Sequence, residues 1–189
     1  RSLTGAAGSA AALDGVLGGG AVGPPRLPPA TADAEALFTR PLPIQDESIP
    51  SATALIATSL VTLASLTGRA AYAERADAIL AAHLGAARDV LGRAGLFNAL
   101  DQRMNLVEVA VIGTAEEGAD ALIRAVRRHW RDAIALVVGS GDVALPESHP
   151  AHGKTTVGGR AAAFVCRSGA CSLPVTDVDE LAPLLKRLD

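Results

Sequence analysis

The stretch "VEVAVIGTAEEGADALIRAVRRHWRDAIALVVGSG", Val107 to Gly141, decides the fold class of this chain. Val107 to Gly113 is a short apolar run rich in β-branched residues, a helical stretch occupies about Glu116 to His129, and Ala133 to Gly141 is a second apolar run. Strand, helix and strand with tight links predict a right-handed parallel crossover unit. Further on, Ala161 to Cys166 predicts a third strand, and Asp177 to Leu188 a final helix capped by Thr176 or Asp177. We therefore expect a small three-stranded parallel α/β unit over residues 106–189.

The preceding region has a different period. Leu55, Ile56, Leu60, Leu63 and Leu66 recur at three and four after Pro50, and Gly68 provides a stop. A second helix is expected from about Ala70 to Leu91, with a turn near "GRAGLFNALD" before the first strand. The short Thr-Gly-Arg link makes the two an αα-hairpin. One hairpin buries little alone, so residues 31–105 read as part of a larger helical assembly. Residues 1–30 hold seven Gly and four Pro and read as an irregular start.

Composition removes several function classes. With 17 basic and 20 acidic residues among 189, the net charge of -3 gives no footprint for nucleic acid or an anionic membrane. Aromatic residues make up only 3%, which disfavours base stacking. The uncharged run from Ile49 to Leu66 contains Pro50 and six hydroxyl residues, so a buried helix is expected instead of a membrane span. Two cysteines fall short of a secreted disulfide framework, and no secretory leader is evident, so a cytoplasmic setting is expected. The start at Arg1 suggests a piece of a longer chain.

Among the chemical motifs, "GTAEEGAD" (Gly113 to Asp120) sits where a phosphate loop would, but it lacks the Lys-Ser/Thr ending and opens its helix with two glutamates. His149 and His152 with Cys166 and Cys171 are zinc-type ligands without a paired C-x-x-C, and we expect neither metal nor cofactor. "CRSGAC" is more specific. Cys166, Arg167, Ser168 and Gly169 resemble the loop of rhodanese sulfurtransferases, in which backbone amides and a guanidinium stabilise a thiolate. Cys166, Arg167 and Cys171 are therefore the catalytic candidates, while the plainer expectation is a structural or weakly redox-active pair, with a disulfide allowed by reach but a permanent one disfavoured in a cytosolic setting. Asp46 and Glu47 precede the first strong helix, where acidic side chains favour the dipole.

Two longer segments carry a resemblance. "DAEALFTRPLPIQDESIPSATALIATSLVTLASLTGRAAYAERADAIL" (Asp33 to Leu80) resembles the last helical hairpin region of the large thioredoxin-domain-containing proteins related to spermatogenesis-associated protein twenty. "GKTTVGGRAAAFVCRSGACSLPVTDVDELAPLL" (Gly153 to Leu185) resembles their ending, through Phe164, Val165, Cys166, Cys171 and the run Pro174 to Asp177. The resemblance implies a parent with a thioredoxin-like domain, a six-hairpin α/α barrel of the glycosidase and epimerase type, and this α/β tail. It makes Asp46 and Ser51 barrel-mouth candidates and the missing amino-terminal domains the partners. It implies a carboxy-terminal part without independent catalysis, in a parent of redox or carbohydrate-related role whose small-molecule substrate is unknown. The alternatives are a rhodanese-like or thiol redox site at Cys166 and a sugar-binding barrel in the intact parent.

Overall fold

The computed structural model describes residues 44–85, 89–129, 133–140 and 145–187. The expected irregular start, residues 1–30, lies outside them. The chain is mixed α/β, with five α-helices and one four-stranded sheet among the described residues. It divides into two compact units: residues 44–64, 70–85 and 89–103 fall in one, and residues 65–69 with those from Met104 onward in the other.

The first unit is helical. Helices α1 (Ala52–Thr67) and α2 (Ala70–Leu84) are followed by a 3-10 turn (Leu91–Arg93) and α3 (Ala94–Asn105). Small side chains let the helices approach closely: Ala54, Ala57, Ala76 and Ala99 are buried with Leu60, Tyr72, Ile79 and Leu96. Polar ties join the exposed rims, with Gln102 donating to the Thr62 hydroxyl and Arg103 gripping Asp77 through two nitrogens. Helix α3 corrects the turn expected near "GRAGLFNALD", and α2 ends seven residues before the expected Leu91. Gly95 and Asn98 look like turn residues, but Gly95 is required by packing. A Cβ there would stand 2.9 Å from the Ala54 Cβ and 3.0 Å from an Asp46 carboxylate oxygen.

The second unit is built on β1 (Val107–Ile112), the inner strand of the order β2-β1-β3-β4. Its parallel neighbour β2 (Ile134–Gly139) is reached through α4 (Ala119–Arg128), as the strand-helix-strand pattern predicts. The third strand, β3 (Ala162–Arg167), lies antiparallel to β1 and is paired with a fourth, β4 (Ala170–Cys171). The expected all-parallel, three-stranded sheet is thus corrected to a mixed one. A parallel return requires a crossover, usually helical. The described part of the connection to β3 runs through Pro146, Pro150, Gly153, Gly158 and Gly159 and forms no helix. Gly113 ends β1 at φ +138°, where a Cβ would lie 2.7 Å from the Ala161 Cα, so the chain can enter β3 only past a glycine.

Strand alternation separates two cores. Val107, Val109 and Val111 join Ala163 and Val165 beneath α4 and the final helix α5 (Val178–Lys186), which contribute Leu122, Val126, Leu181 and Leu185. Ala110, Ile112 and Val137 on the opposite face pack with Phe164, Leu66, Leu145 and Ala151. Asp177 caps α5 by accepting from the Asp179 amide at 2.8 Å. Replacing Leu181, which is fully buried, by Ala is expected to cost about 2–5 kcal/mol in urea unfolding. Leu173→Ala, at a side chain 86% exposed, should leave the midpoint unchanged within about 0.5 kcal/mol.

Candidate functional site

The sequence "CRSGAC" forms a tight β-hairpin. Ser168 and Gly169 adopt φ +52° and +81°, the left-handed pair that a two-residue type I′ turn requires. Arg167 then faces Ala170, and Cys166 faces Cys171. The Ser172 amide donates to the Val165 carbonyl at 2.8 Å, so Val165 and Ser172 are a hydrogen-bonded pair. Alternation along an antiparallel ladder then makes Cys166 and Cys171 a non-hydrogen-bonded pair, the type whose side chains stand closest. They are joined as a disulfide across a Cα separation of 4.0 Å.

The two sulfurs have unlike surroundings. Cys166 is 1% exposed, on the sheet face that carries Phe164, while Cys171 is exposed on the edge strand. Lys154 reaches Cys171 from the connecting loop, its Nζ 3.4 Å from Sγ and 4.8 Å from the centre of the Phe164 ring. A cation placed there favours Cys171 as a thiolate once the bond opens.

Arg167 lies elsewhere. As the residue after Cys166 in β3 it projects to the opposite face, and its guanidinium donates to the Asn105 side-chain oxygen. Of the three catalytic candidates, the structure brings Cys166 and Cys171 together and turns Arg167 away from them.

A further residue, absent from the sequence reading, completes the row. Glu108 in β1 is the direct partner of Cys166 in β3, so the two side chains share a face. Burial raises the Glu108 carboxyl above its ordinary value, offset in part by the Ser65 hydroxyl beside it. One signal was present in the sequence. A single carboxylate interrupts the apolar run "VEVAVIG", which otherwise reads as a strand covered on both faces.

Asp46 and Ser51 are engaged in building the first unit. Ser51 is the N-cap of α1, its hydroxyl accepting from the Ala54 amide at 3.2 Å. Asp46 accepts from the amides of Ser51 and Gly95 through separate oxygens and so ties the entry of α1 to the first turn of α3. Burial acts to raise the Asp46 carboxyl, but the Gly95 and Ser51 amides and the Ser51 hydroxyl outweigh it and hold it below the ordinary value.

The remaining motifs also have structural roles. Thr114 and Glu117 brace the turn before α4 reciprocally, the Thr114 amide donating to the Glu117 carboxylate at 2.7 Å and the Glu117 amide to the Thr114 hydroxyl at 3.4 Å. A cleft of about 490 Å³ beside it is lined by Glu116, Glu117, Asp177 and Asp179 as well as Arg160, an acidic setting for any phosphate. His149 is buried, with Nδ1 accepting from the Ala151 amide at 2.9 Å, which leaves the proton on Nε2 to donate to the Leu66 carbonyl. No group of three or more metal-type ligands occurs among the described residues.

Compared with protein-family models and with curated proteins, the chain matches none. Among the described residues, no helix is long and apolar enough to cross a membrane.

Ser51→Ala is expected to lower unfolding free energy by about 1 kcal/mol, the usual cost of losing a hydroxyl cap. Asp46→Asn should destabilise at neutral pH, with the difference from wild type closing as the solution is acidified through the Asp46 pKa. Both are read from urea midpoints.

Burial lowers the His149 pKa, the Leu66 carbonyl opposes that, and His152 lowers it further. An unfolded imidazole titrates near about 6.5, so the unfolded chain takes up the proton first. Stability is therefore complete above about pH 6.5 and declines below it. His83, lowered by its own burial and by Arg93, contributes with the same sign. Long-range proton-nitrogen NMR should show the neutral His149 ring protonated on Nε2 and its titration midpoint below that of an unfolded imidazole. A midpoint at or above that of an unfolded imidazole would contradict the assignment.

Proposed function

We propose that this chain is the carboxy-terminal part of a larger protein of the kind its two segments resemble, and that its β3–β4 hairpin serves there as a reversible thiol redox element. The observation that carries the reading is the disulfide itself, closed between a buried sulfur and an exposed one that holds a lysine. On this reading α1 and α2 are the last hairpin of an α/α barrel, and the missing amino-terminal domains are the partners. The setting is cytoplasmic, where disulfides are commonly transient, and the tail is without independent catalysis, exchanging its one disulfide stoichiometrically.

Magnitude favours a redox element over a staple. The cysteines are five residues apart, and closing so small a loop contributes roughly 2 kcal/mol in the chain-entropy picture, less than half of what a hundred-residue loop gives. The two-residue turn and the Val165–Ser172 pairing already hold the same ends together. Sulfur transfer at Cys166 has less support, because that sulfur is buried and bonded and Arg167 is directed elsewhere. A sugar site at the barrel mouth has less support too, since Asp46 and Ser51 are committed to capping.

The test is reduction under native conditions. Millimolar glutathione should open the disulfide while circular dichroism stays constant, after which iodoacetamide should modify Cys171 well before Cys166. Reduction that occurs only together with unfolding would instead make the bond a structural staple.

A further inference from the structure

The sheet register places a buried acid next to the buried sulfur. On β3 the backbone groups of Ala163 and Val165 are directed toward the β4 side, where they bond Val175 and Ser172. Those of Cys166 must then be directed toward β1, which makes Cys166 and Glu108 a hydrogen-bonded pair, with Cα atoms about 5.5 Å apart. Across the sheet runs a single row on one face: Ala135 of β2, Glu108 of β1, Cys166 of β3 and Cys171 of β4, with Lys154 beyond the last.

We propose that this row is a proton-coupled thiol–disulfide exchange site for a small thiol or a protein thiol, in which Cys171 is the sulfur attacked and Glu108 supplies the proton to the departing Cys166. The inference rests on the reversible-redox reading above and assigns its chemistry. An incoming thiolate forms a bond to Cys171 Sγ, the Cys166–Cys171 bond breaks, and the electron pair leaves on Cys166 Sγ. The Glu108 carboxyl gives that thiolate its proton and becomes a carboxylate. A second thiolate of the same class then attacks the partner sulfur of the mixed disulfide and releases Cys171 as a thiolate beside Lys154. The sum is two thiols oxidised to a disulfide and one protein disulfide reduced to two thiols. In reverse, Cys171 is the nucleophile toward a partner disulfide, and Glu108 withdraws the Cys166 proton.

Burial gives the acid its purpose. At 1% exposure Cys166 cannot meet water as it departs, and a bare thiolate in that setting is costly. Glu108 is half-buried, and burial keeps its carboxyl protonated to higher pH than an ordinary glutamate. The other titratable groups on the elements around the row have separate positions. Lys154 is at Cys171; His149 and His152 bond to the Leu66 and Leu145 carbonyls; Arg69 is exposed; and Arg167 is on the far face with Asn105.

The experiment follows reduction of the oxidised chain by glutathione between about pH 5 and 9, with the rate divided by the fraction of glutathione present as thiolate. Wild type should show a corrected rate that rises as pH falls through the Glu108 pKa, and Glu108→Gln should be flat and slower at low pH by about tenfold or more. Glu108→Asp should recover part of the pH dependence. Acid-quenched mixed disulfide should map to Cys171 by mass spectrometry. Equal corrected rates in wild type and Glu108→Gln would overturn the proton role while leaving reversible exchange intact, and an adduct on Cys166 would overturn the direction of attack. No reduction of the folded wild type would remove the underlying redox reading itself. If Glu108→Gln does not fold, carbon-13 NMR of wild-type Glu108 decides: its titration must move between the disulfide and dithiol states, and an unmoved titration overturns the coupling.

Discussion

Strand β1 is the constraint on which the second unit depends. It is paired on both edges, parallel to β2 and antiparallel to β3, so all of its backbone groups are committed to the ladder. Its side chains are buried on both faces except at Glu108. Val107, Val109 and Val111 draw α4 and α5 onto one face, and Ala110 and Ile112 draw the segment around Leu145 and Ala151 onto the other. Once β1 is fixed, the register of β3 fixes which cysteine lies inside, and the turn at Ser168 and Gly169 fixes which residue it meets.

Much of this framework was legible from the chain alone, because period and punctuation agree in it. The run from Val107 to Gly113, the helix ending near His129 and the second strand follow the expected order, and Asp177 caps the last helix as its position suggests. What escaped was non-local. The direction of β3 depends on the absence of a crossover helix between Leu145 and Arg160, a property of the connection instead of the strand. Helix α3 was hidden by Gly95, whose turn-like identity reflects the close approach of Ala54 and Asp46. Local propensity yields to tertiary contact at such positions.

The candidate site was legible in half. The cysteines are conspicuous as the chain's two, and their spacing permitted several outcomes: an activated thiolate, a packing pair or a disulfide. The choice among these lies in the turn. "Cys-Arg-Ser-Gly" reads as a cradle when aligned by residue type, yet consecutive positive φ values at Ser168 and Gly169 close it into a hairpin instead. Arg167 and Cys166 are adjacent in sequence and on opposite faces in the sheet, so a cation that looks available to the thiol is 180° away from it. Lys154 stands 17 residues from Cys171 and Glu108 stands 58 from Cys166, so no local motif pairs either with its sulfur, although the lone carboxylate in "VEVAVIG" marks Glu108 as unusual.

The hairpin's own bonding argues that opening the disulfide need not open the sheet. Val165 and Ser172, and Ala163 and Val175, remain bonded beyond the sulfurs on the side away from the turn, while on the other side Arg167 pairs with Ala170 and the Ser168–Gly169 backbone sets the turn. The bond therefore adds little that the fold lacks, while it stores an oxidising equivalent at an exposed edge. Its two ends face different media, Cys171 meeting solvent and an ammonium, Cys166 meeting the interior and a carboxyl. A thiol approaching from solvent can reach only the first, so the charge it displaces must appear at the second, where only a neighbouring acid can neutralise it. The direction of attack and the need for Glu108 thus follow from one fact, the unequal burial of two sulfurs across a single strand pair.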